Sequence, residues 1–122
     1  MHVQSLSALK QSVGSHFQAK ARYRGTVRHN PERDREDGFV RFLLFDSFAF
    51  GFGFSGAPYT SVSCFYEASE GLTTTVLLGI DLAFVENDEE SISRALRHVE
   101  HYCRLRLPDK YLAAWEVGEP SN

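Results

Sequence analysis

The chain has 122 residues, 43% of them hydrophobic and 24% charged, which fits a single soluble domain spanning 1–122 that buries roughly two-thirds of its unfolded surface. No apolar run approaches the roughly 20 residues that cross a bilayer, and residues 1–14 hold a lysine but no continuous apolar stretch, so neither a membrane span nor a secretory leader is expected. The formal net charge of −3 and only two cysteines, Cys64 and Cys103, point to free thiols in a reducing cytoplasm and away from nucleic acid as the main partner.

In chain order, Leu6, Leu9, Val13 and Phe17 form one stripe of an amphipathic helix, with Ser5 or Ser7 as N-cap and Gly14 as an early stop. Residues 19–27 alternate strictly and predict a strand, with Lys20, Arg22, Arg24 and Arg28 on its outer face. Turn residues at both ends make 30–38 a solvated connection. Most of the ten phenylalanines lie between 39 and 54. As a strand, 48–54 would put Phe48, Phe50, Phe52 and Phe54 on one face and leave Ala49, Gly51 and Gly53 nearly flat on the other. The aromatic face reads as core, with the small residues beneath a neighbour; the alternative is a loop whose rings make a contact patch or line a cavity.

After a break at 55–58, residues 59–68 and 72–80 read as further strands joined through a hairpin at 69–71, with 81–86 extending or bending around Gly79. Asn87 as N-cap, acidic residues in the first turn and a stripe of Ile92, Ala95, Leu96, Val99, Tyr102 and Cys103 predict a long helix, which Pro108 stops. Residues 110–117 make a short helix or an edge strand anchored by Trp115. Short links without intervening helices imply an α+β fold: a mainly antiparallel sheet of about four to five strands with an N-terminal helix and a long C-terminal helix packed on it.

No catalytic motif withstands inspection. His98, His101 and Cys103 do not share one helical face as zinc ligands must, and Gly53-Phe54-Ser55-Gly56 has the wrong spacing for a nucleophile elbow. The Phe-Gly alternation lacks the Gly-Lys-Ser/Thr ending of a phosphate loop, and Cys64 would need a paired histidine to act as a nucleophile. The expectation is a protein with no catalytic residues, no metal and no cofactor.

Charge is segregated along the chain. From 42 to 93 there are eight acidic residues and no Lys or Arg, whereas 1–41 hold eight basic residues against four acidic. Glu86, Asp88, Glu89 and Glu90 gather at the start of the last helix, partly as ordinary helix N-terminal chemistry, and Asp81, Glu67 and Glu70 fall on strand ends or turns. With Tyr59 and Tyr66 as exposed aromatic anchors, these carboxylates would suit a basic protein partner such as a nuclease cleft. In size, single α+β domain, cysteine usage, acidic block and lack of an enzymatic motif, the chain resembles bacterial immunity proteins that neutralise contact-dependent growth inhibition toxins and other polymorphic toxins. The resemblance carries no motif and no residue roles. It implies a stoichiometric toxin inhibitor that covers its toxin's active site. Two alternatives stand beside it: a small-ligand-binding or enzymatic domain with a Phe-lined cavity, and a nucleic-acid-binding module using the basic strand face at 20–28.

Overall fold

The first helix starts where the Ser5 side chain accepts the Ala8 N–H at 3.0 Å, and α1 (Leu6–Phe17) then buries Leu6, Leu9, Val13 and Phe17 as their spacing predicts. The helix runs through Gly14, since an interior glycine costs only about 1 kcal/mol and Phe17 beyond it is fully buried. A 3₁₀ turn over Gln18–Lys20, with Gln18 at φ 53°, redirects the chain into the sheet. The computed structural model describes residues 3–29, 37–56, 60–69 and 72–117; the connection predicted at 30–38 and the turns at 55–58 and 69–71 lie mostly outside them.

Strands β1 (Ala21–Arg28), β2 (Gly38–Leu44), β3 (Phe48–Ser55), β4 (Ser61–Ser69) and β5 (Leu72–Thr74) form one antiparallel sheet in sequence order, the α+β arrangement expected from the short links. The alternation in β1 is broken by a bulge between Tyr23 and Gly25, and the strand lies at the sheet edge, where bulges and arginines discourage pairing with other chains.

Phe50, Phe52 and Phe54 of β3 are buried in the core with Val40, Phe42, Leu44, Val62 and Cys64. The run at 48–54 is thus a strand whose rings fill the core instead of lining a cavity. On its opposite side, Gly51 pairs with Phe65 and Gly53 with Ser63 of the adjacent strand. A Cβ on Gly51 would overlap the Phe65 ring, and one on Gly53 would overlap the Ser63 hydroxyl, so the neighbour covering the small residues belongs to the same sheet. Phe65 in turn meets Phe39 edge-on at 5.3 Å.

After β5 the chain departs from the single strand predicted at 72–80. It leaves the sheet as a small hairpin, β6 (Val76–Leu77) and β7 (Ile80–Asp81), and then returns beside β4. Leu82 N–H donates to Thr75 O at 2.8 Å across the base of this excursion, Cys64 N–H donates to Leu82 O, and Val62 and Val85 exchange backbone bonds. Helix α2 (Glu89–Arg104) is capped by Asp88, one residue later than predicted. Asn87 instead clasps the other end of the chain: its amide donates to Val3 O at 2.6 Å and its Oδ1 accepts Val3 N–H at 2.8 Å.

Helix α3 (Asp109–Val117) follows Pro108, and Tyr111 donates its hydroxyl to Phe45 O at 2.6 Å; the Trp115 side chain is outside the described set. Both longer helices pack on the Phe50–Phe52 face, with Phe17 against Phe52 and Tyr102 against Phe50. Among the described residues no helix is long and apolar enough to cross a membrane.

Candidate functional site

Folding divides the acidic block. Glu67 projects from β4 onto the sheet face opposite the helices, where Arg41 of β2 holds it with two bonds of 3.1 Å and leaves it 18% exposed. Asp46 pairs with Arg22 at 3.2 Å, and Glu90 with Arg94 at 3.2 Å one helical turn on. Arginines from outside the block thus reach into it, which its sequence composition hides. Asp88 is engaged as the cap of α2, accepting Ser91 N–H at 2.7 Å and Ser91 Oγ–H at 2.9 Å, and these bonds hold its carboxyl below the usual range. Asp81 is exposed at the end of β7. It accepts the Thr75 hydroxyl at 2.7 Å and Ala83 N–H at 2.9 Å, which lower its pKa in the same way.

Glu86 and Glu89 are exposed and have no ion pair among the described residues. Tyr66 is not an exposed anchor: its ring is half-buried 5.2 Å from Phe50 and 5.7 Å from Tyr102, so it closes the aromatic core. Glu70 and Tyr59 lie outside the described residues.

Near Asp81 and Glu86 is a feature that the sequence reading missed. Val76, Leu78 and Ile80 of the β6–β7 hairpin and Phe84 on the returning segment are exposed, Phe84 at 68%. Leu78 and Gly79 form the two-residue hairpin turn with φ of 51° and 81°. Such turns favour Asn-Gly, because a branched apolar residue resists the left-handed region. The hairpin is moored to α2 by His98, whose Nε2–H donates to Leu77 O at 2.6 Å, and by the fully buried Leu77 side chain.

Between the segment 80–86 and α2 runs an open groove of about 630 Å³, with an apolar floor that includes Ile80, Leu82, Val85 and Ala95. Its helical wall is basic: Arg94, Arg97, His98 and His101 follow the i, i+3, i+4, i+7 spacing of one helix face. That spacing was legible in the sequence. The opposing apolar floor was not, because it depends on the excursion returning to β4.

The residues with catalytic or metal-binding potential are dispersed. Cys64 and Cys103 are free and buried, and burial pushes both thiols up to about 12, so neither supplies a thiolate at neutral pH. Cys103 faces the core, His98 is committed to Leu77 O and His101 is exposed; among the described residues no group of three His, Cys, Asp or Glu side chains is placed to hold a metal ion. In β1, Arg22 is bound to Asp46, while Tyr23 lies under Lys10 Nζ at 3.8 Å and against Phe42, leaving its ring poorly placed to stack on a base.

No protein-family model, curated protein or solved structure matches the chain.

Proposed function

We propose that this chain is a non-enzymatic binding protein of the immunity type, which neutralises a cognate, basic toxin domain of the nuclease class by covering its active site. The contact surface is the end of the molecule formed by the β6–β7 hairpin, Phe84 and the start of α2. One observation carries the reading: four large apolar side chains, Val76, Leu78, Ile80 and Phe84, stand exposed in one short segment that also carries the exposed carboxylates of Asp81 and Glu86, with Ile80, Phe84 and Glu86 facing Arg94 and Arg97 of α2 across the groove.

An apolar cluster rimmed by charge is the usual composition of a protein contact. The apolar side chains anchor the complex, and the carboxylates speed its encounter with a basic partner. Leu78 adds support, since an apolar side chain occupies a turn position where asparagine or glycine is preferred.

Affinity capture from the protein's native cells tests this. The wild type should retain a basic protein in stoichiometric amount and suppress its activity. Phe84→Ser should weaken the isolated complex by more than about tenfold through faster dissociation. Glu86→Gln should mainly slow association and flatten its salt dependence. Copurification of nucleic acid in place of protein, or full affinity in the Phe84 variant, would overturn the proposal.

A further inference from the structure

The geometry points to a small-molecule site in the groove between residues 80–86 and α2, selective for an amphipathic carboxylate: a short alkyl or aryl body ending in a single carboxylate group. This goes beyond the proposed function and does not depend on it. The groove's volume of about 630 Å³ lies within the roughly 300–1,000 Å³ typical of ligand sites, which pair apolar walls with a few placed polar groups.

Its polar groups are not equivalent. Arg94 is held by Glu90 at 3.2 Å, and His98 donates to Leu77 O at 2.6 Å. Arg97 and His101, one turn apart on the same wall, have no side-chain partner among the described residues. A guanidinium beside apolar surface matches a carboxylate with two parallel hydrogen bonds, a fit that an alcohol or an ammonium does not reproduce.

Polarity along the groove sets the direction of binding. Glu86 and Ser91 line it near the start of α2, while Arg97 and His101 lie further along. From Ser91 to His101 the helix advances roughly 15 Å. The carboxylate therefore belongs at the Arg97–His101 end, away from Glu86, with the alkyl chain over Leu82, Val85 and Ala95.

The test is a titration of ¹⁵N-labelled protein with octanoate, with 1-octanol and octyltrimethylammonium as neutral and cationic probes of equal chain length. Octanoate should shift backbone amides at 80–86 and 94–101 saturably, and both control probes should bind at least about tenfold more weakly, as the loss of a charge-assisted hydrogen bond implies. Arg97→Gln, a change at an exposed position that leaves the core untouched, should raise the octanoate Kd by about tenfold, and Arg97→Lys should restore part of the affinity. Absence of saturable shifts at millimolar octanoate, shifts spread over the whole chain or centred elsewhere, equal affinity for octanol, or unchanged binding by Arg97→Gln would each overturn the assignment.

Discussion

Leu78 occupies the left-handed region at φ 51° while remaining 42% exposed, so the fold gains only part of what its burial could give and bears the backbone cost. Leu78→Asn should therefore raise stability by about 0.5–1 kcal/mol, since asparagine tolerates this conformation, and should weaken partner binding. Chemical denaturation checks the first effect and affinity for the captured partner the second; lower stability would show that Leu78 contributes packing to the fold. Gly38 illustrates the opposite arrangement. At φ 151°, a Cβ there would strike Val27 O, so both conformation and space demand glycine. Neither constraint is visible in the residue itself, because each comes from the chain it meets.

At the scale of elements, α1 and α2 were legible because an amphipathic helix advertises its buried face locally, and the buried stripes match the predicted residues. The boundary of α2 shifted by one residue because Asn87 is taken by Val3, far away in sequence, leaving Asp88 to cap. The hairpin β6–β7 was not legible. Residues 72–81 have the β-branched content of one strand, but closure between Thr75 and Leu82 and attachment to α2 break it into three pieces. Because the His98 bond is a polar link from this hairpin to α2, His98→Ala should cost about 1 kcal/mol. Its main effect should be faster amide exchange at 76–81, with α2 still protected. Equal acceleration throughout α2 would mean that the hairpin and helix open as one unit.

Across the whole molecule, charge blocked along the chain becomes charge partly paired in space, with Asp46, Glu67 and Glu90 each meeting an arginine. Of the predicted site residues, Asp81, Glu86 and Glu89 stay exposed without an ion pair among the described residues, Glu89 on the α1 side of α2, while Glu67 and Tyr66 are drawn into cross-strand and core contacts whose partners sequence spacing cannot identify. The opposite sheet face is partly shielded by Phe65 and Phe39. Between the helices, Glu100 lies 3.3 Å from His16 Nε2, which is buried without a well-aligned hydrogen bond, and accepts Arg104 Nε–H at 2.9 Å. The His16 contact and the Arg104 bond outweigh burial and bring the Glu100 carboxyl down to about 2 from its ordinary 4.5. A carboxyl depressed on folding contributes stability above its unfolded pKa and loses it as pH falls toward the folded value. The denaturation midpoint should thus decline between pH 4.5 and about 2, and Glu100→Gln should flatten that decline. An unchanged acid profile in the variant would assign the loss to other carboxylates.

The excursion that carries Val76, Leu78 and Ile80 leaves and rejoins the sheet at neighbouring points, Thr75 and Leu82, which share a 2.8 Å backbone bond. Its outward side chains can change without disturbing the Val62–Val85 pairing or the phenylalanine core. Substitutions at 76, 78 and 80 should therefore be tolerated better than in the scaffold, so that this surface can be rewritten while the fold beneath it stays the same.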